Sequence, residues 1–593
     1  FRRVYSFAGA SAPVERLWAS STEPAALAAA LGQMRPGTDY DGLAAAAMAR
    51  AKADWLVGMN ASRAYTLAAS SSKPLSIGRV KTPTLAMVAA RDAEIAGFEP
   101  EPFWTVVADM GLWQAASERL DSAPFAAAVA MGRIGELRVA SAEYGPAEVR
   151  PPLPYNLDEL MKDASRLFGY TPKQTLDAAQ LLYEKRLQTY PRTSSRHIEP
   201  ADVPGARECV RALAGGEGSP VACAPFEPDF DRIADSSKVE GHPAILPTRT
   251  LMEVGWADLG ERERNVSALV CLRLVASVAP PWRKREGKVA LDGIAYDGTR
   301  VRFTASGFAT EDAGWKGIVD ATLERIGAKA AKPEQQAIPP KCEVGQTVTP
   351  QRFELKEGKT KAPAAYTDAT LLTAMETCGR SLDDEQLAAA LKGRGIGTAA
   401  TRAAIIEELL RAGQISREKG KIRSTELGRT VAASVSPQLA SPELTGEWEA
   451  RLADMRALGD EDAFVADAAG YASSLVSDAF GRESELRARF GAASRHVVCK
   501  CPRCGREVVR TGADGKGAVI RCSSVTTRRN ESGAWEDAGG CGLKVWAKVA
   551  GVSLTDEQIA AAIAGERVKV DGIKPKDPSK KSYSRFMTLD ASA

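Results

Sequence analysis

Leu187-Gln188-Thr189-Tyr190-Pro191-Arg192-Thr193-Ser194-Ser195-Arg196 places a phenol directly before a proline and two residues before a guanidinium. A phenol, with a pKa of about 10, is a poor nucleophile at neutral pH. A cation that neutralises the phosphate under attack and stabilises the phenolate makes it useful. In an extended segment residues two apart share a face, so Tyr190 and Arg192 are expected to point the same way. Pro191 fixes one backbone angle between them. That arrangement suits a tyrosine attacking a phosphodiester. Taken alone, the stretch reads as a surface turn with an incidental Tyr and Arg, because short motifs recur by chance. The surrounding chain reverses that reading.

Asn156 and Glu159 have the spacing of a capping box. Leu157, Leu160, Met161, Ala164, Leu167 and Phe168 follow at helical spacing, and Gly169 ends the helix. Thr171, Pro172 and Gln174 form a second cap with proline at the first helical position. The second helix is expected to run to about Arg186 and the chain to extend into Leu187–Tyr190. Tyr190 therefore follows a helix pair, and rigid elements hold reactive groups better than free loops do.

The stretch from Pro151-Pro-Leu-Pro-Tyr-Asn through Tyr190-Pro191-Arg192-Thr-Ser resembles the active-tyrosine region of type IA DNA topoisomerases. The proline after the tyrosine is most similar to the topoisomerase III branch. Other blocks follow in the family's order. Asp54-Trp55 through Asn60-Ala-Ser-Arg63 resembles the helix leading into the strand-binding gate. Ser76-Ile-Gly-Arg79-Val-Lys81-Thr82-Pro-Thr-Leu resembles the Gly-Arg-Val-Gln-Thr-Pro-Thr block. Gly241-His242-Pro-Ala-Ile resembles the active-site histidine block. Gly395-Ile-Gly-Thr398-Ala-Ala-Thr-Arg402, with Ser441 to Glu449, resembles the returning gate segment. The resemblance implies that Tyr190, Arg192 and His242 are catalytic, His242 donating a hydrogen bond beside the scissile phosphate. It implies DNA contacts by Asn60, Arg63, Ser76, Arg79, Lys81, Thr82, Thr398 and Arg402.

The chain departs from the family at Ser194, where Asp is usual, and at Lys81, where Gln is usual. The family also begins with an acidic Toprim domain, whose Glu and Asp-x-Asp pair hold Mg²⁺. Those residues are not found here, and the gate blocks start almost at residue 1. The chain is therefore expected to be a member lacking that domain, with Mg²⁺ bound through the missing part.

At 593 residues, 44% apolar and 26% charged, the composition is that of a large globular protein of several domains. Net charge is only +3, so any nucleic-acid site must come from local clustering of cations. No apolar run is long enough to span a bilayer. Ten cysteines in a chain this long do not suggest a disulfide scaffold, and a reduced cytoplasmic location is expected.

The expected fold is multidomain α+β: a type IA toroid of mainly helical gate domains and a β-rich arch, with a C-terminal zinc ribbon. The toroid comes from the resemblance. The expected boundaries are 1–85 for the first part of a helical gate, 86–150 for the first part of the arch and 151–265 for the active-tyrosine domain. They continue with 266–365 for the second part of the arch, 366–490 for the second part of the gate and 491–593 for the ribbon and a basic tail. Strands are expected at Trp104-Thr-Val-Val-Ala, Leu137-Arg-Val-Ala, Lys288-Val-Ala-Leu and Val301-Arg-Phe-Thr. Residues 328–345 read as linker. After Thr398, a helix through Ile405, Ile406, Leu409 and Leu410 stops at Gly413. A hairpin about Lys419-Gly420-Lys421 and a helix opened by Thr425 follow. This resembles a winged helix whose Arg402, Arg417, Lys419, Lys421 and Arg423 either meet phosphates or form a solvated face.

In the tail, Cys501-Pro-Arg-Cys504 is a knuckle followed by Cys522 and Cys541. Zinc favours such a soft tetrahedral set, and Cys499 or His496 are alternative ligands. Weak single-strand binding is expected through Arg503, Arg506, Arg510 and Trp535 or Trp546. The stretch Lys574–Lys581 reads as a solvated tail.

The expected activity is ATP-independent: cleavage of one DNA strand through a 5′-phosphotyrosine, strand passage and religation. It would relax negative supercoils or decatenate DNA. The partners expected are single-stranded, negatively supercoiled or catenated DNA, handled by a monomer. The alternative is a single-strand-binding remnant that cannot cut. A relaxase is disfavoured because its metal needs a histidine cluster, and this chain holds 3 scattered histidines.

Overall fold

The computed structural model describes residues 2–18, 24–71, 73–215, 218–239, 241–328, 337–381, 395–458, 461–493, 496–511, 519–529, 535–549, 552–573 and 582–588. The basic stretch Lys574–Lys581 and residues 329–336 of the expected linker lie outside them. The chain forms two units, Phe1–Ser62 with Leu75–Val476, and Arg63–Pro74 with Ser477–Ala593. No described helix is long and apolar enough to cross a membrane.

The first unit contains a 7-stranded antiparallel sheet. Its spatial order is Thr347–Val348, Leu137–Val149, Trp282–Ile294, Arg300–Asp312, Gln114–Ser117, Pro102–Asp109 and Arg352–Lys359. Alternate residues of neighbouring strands build its core: Leu137, Val139, Val289, Leu291, Val301 and Phe303 are buried with Val106 and Ala108. The helix Ala123–Ala130 packs there, capped by Ser122, whose hydroxyl accepts from Phe125 N. The four strand expectations are seeds of longer strands. Trp282–Ile294 and Arg300–Asp312 each run 13 residues, and their far ends carry exposed charge with no apolar alternation. Part of the expected linker is docked on this sheet: Tyr144 Oη donates to Pro340 O at 2.5 Å and Gly345 N to Val139 O at 2.8 Å.

Where the sheet ends, Val149 pairs with Trp282. The chain leaves through Pro151-Pro152 and returns through Pro280-Pro281. Proline carbonyls still need partners although proline gives no N–H. Arg232 donates to Pro152 O, Arg196 to Leu153 O and Pro154 O, and Arg273 to Leu153 O. Between these connections lie the helices Leu157–Phe168, Pro172–Glu184, Val203–Leu213 and Glu261–Ser277.

The first of them starts with Asn156 Oδ1 accepting from Glu159 N at 2.9 Å. The expected reciprocal bond is replaced: Glu159 turns to Lys162 at 2.8 Å. Gly169 takes φ 71°, the left-handed end expected of it. The second helix opens with the full Thr171/Gln174 box and ends at Glu184, two residues earlier than expected. Arg186 then adopts φ 61°, which turns the chain toward Tyr190.

Farther along, Ala399–Arg411, the antiparallel pair Ile415–Glu418 with Lys421–Ser424, and Glu426–Ser434 make the helix–hairpin–helix expected. Gly413 is left-handed at φ 68°.

The second unit has a 4-stranded antiparallel sheet, His496–Lys500, Glu507–Thr511, Val519–Cys522 and Lys544–Trp546. Val508, Ile520 and Val545 build its core with Ile559 and Ile563 of the helix Asp556–Ile563.

Candidate active site and metal centre

The tyrosine segment is not a regular strand. Gln188 bridges Pro247 antiparallel, and Thr193 N donates to Pro191 O at 3.0 Å, a tight turn about Arg192. Even so, Pro191, Thr193 and Ser195 are buried whereas Arg192 and Ser194 are exposed and Tyr190 is half-buried. Tyr190 and Arg192 are thus both accessible, the first in part.

The histidine block is laced to this segment. Thr189 N donates to Leu246 O at 2.9 Å and Thr248 N to Leu187 O at 3.1 Å. Thr189 Oγ1 donates to Ala244 O at 3.1 Å and accepts from Leu246 N at 2.9 Å. Thr193 Oγ1 donates to His242 O at 2.9 Å. From the other side Ile245 N donates to Tyr155 O at 2.8 Å. These bonds set the Tyr190 and His242 ring centres 4.6 Å apart, and the Tyr183 ring meets Tyr190 edge-on at 5.3 Å. Among the described residues, neither the Tyr190 hydroxyl nor the Arg192 guanidinium has a hydrogen-bonding or ionic partner. Such a phenol and cation are free to meet a phosphate.

Tyr183 and Thr189 were assigned no role from the sequence. The signal for Tyr183 was its place in the last turn of the helix before Tyr190. For Thr189 there was none, since its partners come from residues 244 and 246.

The residues expected to contact DNA divide by burial. Asn60 is exposed, its amide donating to Leu56 O at 2.8 Å. Arg63 is exposed and falls in the second unit. Ser76 and Lys81 are half-buried, and Lys81 Nζ reaches Ser76 Oγ at 3.3 Å and Glu408 at 2.8 Å. Thr398 is exposed and caps Ala399–Arg411 with Thr401. Arg79 is only 5% exposed; it pairs with Asp54 at 2.9 Å and Glu449 at 3.4 Å and lies over the Trp448 ring. Burial alone would lower its pKa, but these two carboxylates raise it. Thr82 is buried, its hydroxyl accepting from Gly78 N at 3.1 Å. Arg402 is buried against Asp158. In the hairpin, Arg417 pairs with Asp368 and Glu407, and Arg423 with Asp92, while Lys419 and Lys421 are exposed.

In the second unit the sulfurs of Cys501, Cys504, Cys522 and Cys541 all lie within 4.8 Å of one another. The Cys501–Cys541 and Cys504–Cys522 separations are 3.6 and 3.3 Å. Zn–S bonds of about 2.3 Å in a tetrahedron require sulfurs about 3.8 Å apart, so the set suits zinc. Cys499 is outside this group. Burial pushes the Cys501 thiol up to about 12. Burial also works against the Cys541 thiolate, but the Ser524 hydroxyl and the Leu543 amide bring that thiol down to about 6. Of the expected strand-binding residues, Trp546 is exposed, Arg503 donates to Cys541 O and Arg510 pairs with Asp556.

A family model described as DNA topoisomerase matches residues 38–463. DNA topoisomerase 3 of Bacillus cereus (strain ATCC 14579) is 33% identical over 545 residues, covering 88% of this chain and 72% of its own length. DNA topoisomerase 3 of Bacillus subtilis (strain 168) is 31% identical, with 88% and 71% covered. Full-length topoisomerase I of Thermotoga maritima shares the fold at a TM-score of 0.58 and 22% identity, over 89% of this chain and 81% of that one. Matched over most of its length by both a family model and these relatives, the chain belongs to the type IA DNA topoisomerases and is of the topoisomerase III kind.

Proposed function

We propose that Tyr190 is the nucleophile with which this topoisomerase cuts one DNA strand. The reading is carried by the Tyr190 ring packed on His242, with an exposed Arg192, unpaired among the described residues, two positions along the chain. The phenol gives up its proton and its oxygen bonds to phosphorus. The phosphorus bond to the 3′ oxygen breaks, and that oxygen leaves as a hydroxyl on taking up a proton. The strand keeps a 5′-phosphotyrosine. Reversal of the same exchange reseals it without ATP, because one phosphodiester has replaced another. Arg192 offsets charge on the phosphoryl oxygens, and His242 donates to one of them.

The substrate is single-stranded DNA within negatively supercoiled or catenated molecules, handled by a monomer in the cytoplasm. Asn60, Ser76, Lys81 and Thr398 steady the strand, and Arg63 is a further DNA contact. Arg79 and Thr82 hold that surface from behind. Zinc, when bound by the four cysteines, supplies structure to the ribbon. A Mg²⁺ requirement belongs to the proposal. Among the described residues no group of three carboxylates is gathered to hold it.

The test is covalent capture of a single-stranded oligonucleotide. The wild-type chain is expected to form a denaturation-resistant adduct and Tyr190→Phe none. An adduct that persists in Tyr190→Phe would overturn the assignment.

A further inference from the structure

Arg402 is 3% exposed, and each of its three guanidinium nitrogens has an acceptor. Nε donates to Ile396 O and Nη2 to Gly397 O, each at 3.1 Å, and Nη1 donates to Asp158 Oδ2. The turn that brings those two carbonyls together is demanding. Gly395 and Gly397 take φ of 60° and 69°, and a Cβ at 395 would collide with Met375 O.

Asp158 is equally buried at 3%, and its Oδ1 has no hydrogen-bond partner among the described residues. A buried carboxylate with one bare oxygen depends heavily on the cation that faces it. Asp158 lies in the first turn of the helix Leu157–Phe168. That same helix start holds the tyrosine segment: Leu157 N donates to Thr193 O at 3.2 Å and Asn156 Nδ2 to Ser194 O at 3.1 Å. One turn later Lys162 bonds Glu159 at 2.8 Å and also Glu376, a second tie between the same parts of the chain.

We propose that Arg402 is a positioning residue for Tyr190, acting through Asp158 and the helix start that grips Thr193 and Ser194, and is not a phosphate contact. The proposal rests on Tyr190 as the reacting group. Its logic is mechanical. Guanidinium, carboxylate, helix start and the two carbonyls form one continuous chain of bonds that ends beside Arg192.

The test uses the full chain with 3-fluorotyrosine at position 190, a single-stranded oligonucleotide, and the variants Arg402→Gln, Arg402→Lys and the double variant Asp158→Asn/Arg402→Gln. Arg402→Gln is expected to leave oligonucleotide affinity within about twofold and its salt dependence unchanged. It should slow covalent capture by about 30-fold or more and broaden or split the fluorine resonance. The double variant, which no longer strands a buried charge, should recover a single resonance and about tenfold in rate. Arg402→Lys keeps a charge opposite Asp158 and should fold even where the Gln variant does not, with unchanged affinity and several-fold slower capture. Affinity lowered about tenfold, a salt slope reduced by about one and an unaltered fluorine resonance would make Arg402 a phosphate contact and overturn the proposal. The fluorine signal reads the ring's position whether or not Tyr190 is the nucleophile, so failure of that assignment and failure of this one are separable.

Discussion

Tyr183 meets the Tyr190 ring edge-on at 5.3 Å and the His242 ring centre lies 4.6 Å from it, so ring packing orients the phenol. An edge-to-face pair contributes about 0.5–1.5 kcal/mol beyond area burial. Tyr183→Phe keeps that ring and is expected to leave covalent capture within about twofold. Tyr183→Leu should slow it by about tenfold, measured at saturating oligonucleotide. A Phe variant as slow as Leu would mean that the hydroxyl matters, not the ring. Arg192 is exposed and unpaired among the described residues, so Arg192→Gln should change stability by less than about 0.5 kcal/mol while lowering the capture rate about 10²–10³-fold. Thermal melts and single-turnover adduct formation check the two halves. At this scale the sequence was informative about chemistry and silent about burial. Motifs singled out Tyr190, Arg192 and His242 as candidates. That Arg79 is buried against two carboxylates and Arg402 against one could not be read there, because their partners Asp54, Glu449 and Asp158 stand 25, 370 and 244 residues away.

The helices that flank Tyr190 were legible because caps are local: Asn156, Thr171 and Gly169 act on backbone groups three or four residues away. The hairpin Ile415–Ser424 was legible for the same reason, with Lys419 and Gly420 at φ 48° and 74° closing it. Its anchor was not. Asp92 accepts from Arg423 at 2.7 Å and from Ser424 N and Oγ at 2.6 and 2.7 Å. Burial would raise the Asp92 pKa, but the bonds from Arg423 and Ser424 outweigh it and hold the carboxyl below its usual 3.8. A carboxyl depressed on folding stabilises the native state above its unfolded pKa, and that stability is lost as pH falls through the folded value. Asp92→Asn is therefore expected to cost about 2 kcal/mol at neutral pH, shrinking toward zero as the medium is acidified below 3.8. Urea denaturation at several pH values measures it, and a constant difference would show that the charge is irrelevant. Strand lengths were underestimated because the outer parts of Trp282–Ile294 and Arg300–Asp312 are held by ladder bonds between residues of mixed polarity with no buried apolar face. Hydrophobic alternation carries no signal there.

At the scale of the whole molecule, each of the two units has its own core. The four cysteines close the sheet of the second, so chelation or Cys501→Ser should abolish its calorimetric transition and leave that of the first unit within a few degrees. Metal analysis of reduced protein should find one zinc per chain, lost in Cys501→Ser. The amino-acid sequence by itself determined the family, the capped helices and the cysteine set, and singled out the motif about Tyr190, because each is written in near neighbours or in blocks of fixed order. Only the tertiary structure decided which cations remain free for a phosphate and which are enclosed. A side chain's solvent and partners depend on segments hundreds of residues away, and burial turns the same guanidinium from a ligand for DNA into a brace for the fold.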